Sequence, residues 1–289
     1  MIYDSLIIGA GPSGAQAGLY IARANKKVIV CHSRSLGALL KADKIENYYG
    51  TGKVLAKDLY ETGVRQLKAV GASVVEDVVA SVKYDYENAL FEVDTGDVSF
   101  RAKTLVLATG REQVRTTTYE ISAKQGVSYC AICDGFFYKN KKVAVIGESE
   151  FAFAEIKHLV GVVGEIHLLL NGKTAKNKNS DIKTIITSEI KKVAQDLGGK
   201  VVVEFVDGAE EHYDGVFIAE GNLGASALAK ILGLNIDKNG YIIVDENMMT
   251  NMKGVFACGD IVGGVAQIAK AVNDGVKTGL SVINHLKMN

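Results

Sequence analysis

An α/β fold of two Rossmann-like nucleotide-binding-type domains, the second inserted into the first, is predicted by three segments in which a short apolar strand runs into glycine. The first is Tyr3 to Ile8 followed by Gly9-Ala10-Gly11-Pro12-Ser13-Gly14. The second is Val143-Ala144-Val145-Ile146-Gly147, and the third is Gly254-Val255-Phe256-Ala257-Cys258-Gly259-Asp260. At 289 residues the chain exceeds one typical domain, and its apolar content of 48% is ample for two cores.

The amino-terminal segment reads as strand, turn, helix, strand: after the glycines, Ala15 to Ala24 has helical composition and Lys27 to Cys31 resumes as a strand. That context gives a GxGxxG motif its meaning. Gly9 permits the tight turn, Gly11 lets the backbone approach a pyrophosphate, and Gly14 lets helix and strand pack closely, with the phosphates on the helix amino-terminus. Ala10, Pro12 and Ser13 complete the turn. An acidic residue often ends the second strand to hold a ribose. Here the strand ends at Cys31-His32-Ser33, so His32 either takes that role or is a surface histidine. Further on, Thr104 to Ala108 is a strand ending in Ala108-Thr109-Gly110. The Gly259-Asp260 turn precedes a helical pattern from Ile268 to Leu286.

Between the glycine turns lies Cys130-Ala131-Ile132-Cys133-Asp134. A Cys-x-x-Cys pair can be half of a zinc site, a redox dithiol or two unrelated cysteines. A zinc site needs two more ligands, and the other cysteines are singletons at Cys31 and Cys258, with no closely spaced histidine pair. The redox reading is preferred. Charge adds no contrary signal: 33 basic residues balance 33 acidic ones, so no global field draws the chain to nucleic acid or membrane. No apolar run approaches a membrane span, and the first strand starts almost at Met1, which predicts a cytoplasmic protein. In that compartment a lone dithiol is catalytic more often than structural.

Together with Ile45-Glu46-Asn47-Tyr48-Tyr49-Gly50 and the dithiol block through Gly135-Phe136-Phe137-Tyr138, these elements resemble the low-molecular-weight thioredoxin reductases along nearly the whole chain. The dithiol block is specific to that family; the glycine turns are shared by many flavoproteins. The resemblance implies FAD along Gly9 to Gly14, Asp260 on its ribityl chain, and the helix start at Gln267 and Ile268 near the isoalloxazine carbonyl. Leu40, Asn47, Val79, Ala108, Thr109, Gly110 and Gly259 join the flavin contacts it implies. It also implies that Cys133 faces the flavin, that Cys130 exchanges with a thioredoxin, that Asp134 is the acid, and that the chain forms a homodimer helped by the Ala266 to Leu286 helix. Chemistry agrees with that division: one thiolate must reach the flavin, the other a partner, and a proton donor must serve the leaving thiolate.

The departures from the family pattern matter as much. A normal member carries a second GxGxxA turn for NADPH and a His-Arg-Arg cluster for its 2′-phosphate. Here Gly147 is followed by Glu148-Ser149-Glu150-Phe151-Ala152, and the strand Ile166-His167-Leu168-Leu169-Leu170 leads into Asn171-Gly172. Carboxylates would face a pyrophosphate where the site should be electropositive. Losing two arginine–phosphate contacts at about 1.5–3 kcal/mol each should weaken NADPH binding more than a hundredfold. The segment also reads as trimmed: Asp181 to Leu197 looks helical, leaving room for one strand and a hairpin at Asp207-Gly208 before the strand Gly215 to Ala219.

A kept dithiol with a lost nucleotide site resembles the ferredoxin-dependent flavin thioredoxin reductases of clostridia. A donor near −400 mV lies about 130 mV below thioredoxin, or about 6 kcal/mol for two electrons. Ferredoxins are usually acidic, so a basic docking face is expected. Lys173, Lys176, Lys178, Lys183, Lys191 and Lys192, with Lys139, Lys141 and Lys142, are the candidates, or are plain solvated surface. The expected organisation is an FAD domain of residues 1–112 with 240–289, around a central domain of 113–239. The expected activity is electron transfer from ferredoxin through FAD and the Cys130/Cys133 pair to thioredoxin. An NAD(P)H-dependent reductase with an atypical site, an FAD-dependent dithiol oxidase and a non-enzymatic flavin sensor are the alternatives.

Overall fold

The computed structural model describes residues 1–33, 37–95, 98–110, 119–123, 125–129, 131–148, 150–174, 181–220 and 225–288, with only the backbone at 132, 133, 150 and 225–227. Two compact units result: residues 1–112 with 223–289, and residues 113–222.

The first unit opens with the βαβ element of β1 (Ile2–Ile8), α1 (Pro12–Arg23) and β2 (Val28–His32). Leu6 to Ile8 and all of β2 are buried, as expected of parallel strands covered on both faces. A short antiparallel pair, β3 (Lys44–Ile45) and β4 (Val54–Leu55), leads into α2 (Ala56–Ala69) and β5 (Ser73–Glu76). The hairpin β6 (Ser81–Asp85) and β7 (Leu90–Asp94) returns to β8 (Ser99–Leu107). The sheet order is β5-β2-β1-β8-β7-β6, parallel from β5 to β8. The first half of β8 pairs with β7, leaving its second half free for a strand from the end of the chain.

The second unit begins with β9 (Glu120–Ile121), β10 (Val127–Ser128) and the short helix α3 (Ala131–Asp134). Then come β11 (Lys142–Ile146), α4 (Glu150–Leu159), β12 (Glu165–Leu169), β13 (Thr184–Ile186), β14 (Ile190–Gln195), β15 (Val201–Phe205), β16 (Glu210–Tyr213) and β17 (Gly215–Ile218). Five strands form a parallel sheet in the order β10-β17-β11-β12-β13. A second sheet, β16-β15-β14-β9, packs on it through Ala144, Ile146, Leu169, Val216 and Ile218 against Ile190, Val193, Val203 and Phe205. Phe151, Ala152 and Ile156 of α4 are fully buried.

One expectation fails here. Asp181 to Leu197 is not helical: it holds β13 and β14, and β14-β15-β16 form a complete meander with its second turn at Asp207-Gly208. The apolar spacing of Ile182, Ile185, Ile186 and Ile190 fits a helix, but the run is dominated by β-branched residues, which favour a pleated surface. The central unit is therefore less trimmed than its sequence suggests.

The chain re-enters the first unit before α5 (Ala225–Leu232), which packs beside β6; residues 223–239 belong with the first unit, ahead of the expected return at 240. Then β18 (Val255–Ala257) pairs with Leu105, Val106 and Leu107, and α6 (Ile268–Met288) closes the unit. A Cβ on Gly275 would strike the Ser13 carbonyl, and one on Gly279 would lie 2.7 Å from the Tyr20 Cβ. The small residues of α6 are thus used within the chain, against α1.

Candidate functional site

In the first unit the predicted residues converge at the carboxyl ends of the parallel strands. Gly9 holds φ +110°, and a Cβ there would strike the carbonyl of Ala108. Gly14 would strike the Gly9 carbonyl and come to 3.0 Å from the Ala108 Cβ. These two glycines are required by the approach of β1, α1 and β8. Gly11 is different: nothing lies within 4 Å of where its Cβ would be. It sits at the N-cap of α1 with no side-chain cap, followed by Pro12 at the first helical position. The amides of the first turn are therefore left for an anion.

Next to this cradle, the buried hydroxyl of Thr109 has no hydrogen-bond partner among the described residues. Leaving such a group unpaired costs about 1–3 kcal/mol, so the position suits a polar ligand. The Gly259-Asp260 turn sits on the first turn of α1: Ser13 Oγ donates to the Cys258 carbonyl at 3.4 Å, and a Cβ on Gly259 would overlap Ser13. Asn47 Nδ2 donates to Gln267 Oε1 at 3.0 Å, which ties the Ile45–Gly50 segment to the start of α6 at Ile268. Ala10 is buried. Leu40 packs against the core beside α1, and Val79 is buried just beyond β5.

His32 is not on the surface. It is 6% exposed, and its Nδ1 lies 2.7 Å from the Tyr60 hydroxyl of α2. The sequence signal is the unbroken apolar run Val28-Ile29-Val30-Cys31, which marks a strand buried on both faces, where a histidine at its end needs a polar partner.

In the second unit Cys130 lies outside the described residues, and Cys133 is described by its backbone in α3. Asp134 ends that helix and accepts a hydrogen bond from Ser128 Oγ at 2.7 Å. Glu155 of α4 is 2% exposed, and its Oε2 accepts the N–H of Ala131, the amide that follows Cys130 in the chain. Sequence reasoning missed both Ser128 and Glu155. Glu155 could have been found, because it shares a helical stripe with Phe151, Ala152 and Ile156, where an unpaired acid does not belong. Phe136 and Phe137, just after the dithiol block, are 75% and 70% exposed. The singletons Cys31 and Cys258 are buried, and burial pushes each thiol up to about 12. Neither is a nucleophile.

The matching strand ends of the second unit are lined by carboxylates and their partners, with Glu148 Oε2 buried and unpartnered among the described residues. A Cβ on Gly147 would strike the Ala219 carbonyl and lie 3.0 Å from the Ala152 Cβ, so packing alone accounts for this glycine. Glu148, just beyond β11, pairs with Lys173 at 3.0 Å. Glu220, just beyond β17, accepts a hydrogen bond from Tyr119 at 3.0 Å and one from Asn171 Nδ2 at 3.4 Å, with Lys173 at 4.0 Å. Asn171 in turn accepts the N–H of Ile190 at 2.8 Å. Ser149 lies outside the described residues. Tyr119 and Glu220 were not foreseen, because only the fold brings them to this crevice.

Of the seven described lysines expected to form a docking face, four pair with carboxylates. Besides Lys173, Lys191 pairs with Glu204 at 2.7 Å, Lys192 with Glu120 at 3.4 Å and Lys142 with Glu211 at 2.8 Å. Lys139, Lys141 and Lys183 are exposed, while Lys176 and Lys178 lie outside the described residues. Among the described residues no helix is long and apolar enough to cross a membrane.

Residues 3–275 match the family described as pyridine nucleotide-disulphide oxidoreductase. The chain is 32% identical to a thioredoxin reductase of Listeria monocytogenes over 295 residues, covering 95% of this chain and 91% of that protein. It is similar in structure to the atypical thioredoxin reductase TRi from Desulfovibrio vulgaris Hildenborough, with TM-score 0.87 and 30% identity, covering 99% of each chain. A ferredoxin-flavin thioredoxin reductase from Clostridium acetobutylicum matches with TM-score 0.74 and 26% identity, covering 100% of this chain and 99% of that one.

Proposed function

This chain belongs to the pyridine nucleotide-disulphide oxidoreductase family, and from that premise we propose that it carries electrons from ferredoxin, through FAD and the Cys130/Cys133 pair, to thioredoxin. The coarser reading stands without the donor: the chain is a thioredoxin reductase-like flavin disulfide oxidoreductase of two Rossmann-like domains, and its cofactor is FAD.

The first unit fits that cofactor. The open space at Gly11 and the uncapped start of α1 would receive the pyrophosphate, Thr109 would gain a partner for its buried hydroxyl, and Asp260 with Gln267 and Ile268 would hold the ribityl and ring end. FAD, when bound, accepts electrons singly and passes them on as a pair. We therefore expect acid extraction of the purified yellow protein to release FAD and no FMN, because only the dinucleotide has a pyrophosphate for the first turn. Release of FMN, or a colourless protein that takes up no FAD, contradicts the assignment.

In the second unit the disulfide opens to two thiols as it takes the electron pair at Cys133. Cys130 then attacks the partner's disulfide, forming a mixed disulfide and releasing one partner thiolate, and Cys133 attacks Cys130 to release the second and re-form the Cys130/Cys133 disulfide. Asp134, held by Ser128, supplies the proton for the leaving thiolate, and Glu155 fixes the start of the helix that carries Cys133. The exposed Phe136 and Phe137 offer a protein partner apolar area beside the dithiol. In the proposal the enzyme works in the cytoplasm as a homodimer.

One observation carries the choice of donor. Glu148 and Glu220, with Lys173, Asn171 and Tyr119, line the strand ends at which a pyridine nucleotide would bind and set two carboxylates where its pyrophosphate would lie. A donor that needs no such pocket, reaching the flavin at its edge, agrees with that lining, and ferredoxin is such a donor. The test is anaerobic turnover with thioredoxin as acceptor and photoreduced ferredoxin as the only donor. Sustained appearance of thioredoxin thiols is expected; their absence sinks the ferredoxin assignment.

A further inference from the structure

Lys270 stands on the first turn of α6, where the helix dipole disfavours a cation. Its position is explained by what its ammonium reaches. Nζ donates to the Gly259 carbonyl at 2.8 Å and to the Gly263 carbonyl at 2.5 Å, and it pairs with Asp274 Oδ2 at 2.7 Å. Those three contacts use the three protons of the ammonium.

Asp274, one turn further along α6, is 6% exposed, and its Oδ2 also accepts the N–H of Gly259 at 3.2 Å. Both backbone groups of Gly259 are thus held by one ion pair on α6. The turn so held contains Gly259, Gly263 and Gly264 at φ +82°, +78° and +83°. Three glycines in left-handed conformations have the largest conformational freedom to lose, so such a turn keeps one shape only when it is tied down. Asp260 lies within it.

We propose that Lys270 and Asp274 form a clamp that holds the Gly259–Gly264 turn in the shape that receives the cofactor, which makes both of them positioning residues for FAD. The clamp rests on the reading of the first unit as the FAD site. It acts by preorganisation: a turn already ordered costs the ligand little to bind, whereas a loose one subtracts its ordering from the affinity.

The test uses the purified holoenzyme and four variants: Lys270→Met, Lys270→Arg, Asp274→Asn and the double change Lys270→Met with Asp274→Asn. The dissociation constant of FAD is read from flavin fluorescence on serial dilution, with circular dichroism in saturating FAD to follow folding. Lys270→Met and Asp274→Asn are each expected to weaken FAD tenfold or more. The double variant should be no weaker than the worse single one, because both changes break the same clamp. Lys270→Arg keeps charge and donors and should restore most of the affinity. If the wild type binds FAD tightly and Lys270→Met binds it equally well, the clamp is wrong while the FAD site stands. The clamp is equally wrong if the two single losses add in the double variant, since that marks independent destabilisation. A wild type that takes up no FAD overturns the reading of the unit and the clamp with it.

Discussion

Cys133→Ser is expected to lower thioredoxin reduction by at least about 10³-fold, because it removes the thiol that receives the electron pair and no other thiol can take its place. Cys31 and Cys258 are buried with thiols pushed up to about 12, so at neutral pH roughly 10⁻⁴ or less of either is thiolate. Cys130→Ser should abolish turnover as well, but with a different signature. In the proposed division of roles it leaves a single thiolate, that of Cys133, to meet the flavin, so a long-wavelength charge-transfer band should appear in Cys130→Ser and be absent in Cys133→Ser. Spectra of the two proteins, with single-turnover thioredoxin reduction, decide the assignment. Turnover retained near the wild-type rate in both variants would make the pair structural, and a band in Cys133→Ser alone would exchange the two roles.

The second large effect concerns pyridine nucleotides. Neither NADPH nor NADH should bleach the flavin at millimolar concentration within the time of a turnover. For NADPH, two missing charge-assisted contacts to the 2′-phosphate, at about 1.5–3 kcal/mol each, remove between about 10² and 10⁴ in affinity. The carboxylates that line the crevice add to that, and against NADH they act alone. A nucleotide would have to displace Tyr119 and Asn171 from Glu220 and bring its pyrophosphate against Glu148 and Glu220, with Lys173 as their neighbouring cation. Gly147 does not argue for a retained site, since the Ala219 carbonyl would exclude any side chain there with no ligand present. Stopped-flow mixing with each nucleotide checks this, and rapid bleaching by either one would show that the crevice opens.

Much of the fold was legible because it is local. The three strand-to-glycine segments, Tyr3 to Gly14, Val143 to Gly147 and Gly254 to Asp260, carry their own pattern, and the strands β1, β11 and β18 lie where it places them. What was not legible depends on contacts distant in sequence. Asn47 and Gln267 are joined by a hydrogen bond, but nothing near either one in sequence announces the other. Tyr119 and Glu220 meet only because β9 joins one sheet and β17 another. Glu155 was readable as an acid on an apolar helix face, but its partner, the Ala131 amide, was not. The 181–197 segment misled because apolar spacing was weighed above β-branched content. The lysines of the same region read either as a docking face or as plain solvated surface, and the sequence did not show that Lys173, Lys191 and Lys192 pair with carboxylates that the strands bring beside them.

The central claim is that electrons enter through FAD from a one-electron protein donor and leave through the Cys130/Cys133 pair. Its most direct measurement is anaerobic stopped-flow absorbance of the oxidised holoenzyme mixed separately with reduced ferredoxin, NADPH and NADH, each with and without thioredoxin. Reduced ferredoxin should bleach the flavin band at a rate that supports turnover, and thioredoxin should return the flavin to its oxidised spectrum as thioredoxin thiols appear. The two nucleotides should leave the band unchanged. Rapid bleaching by NADPH or NADH, with ferredoxin inert, would contradict the account.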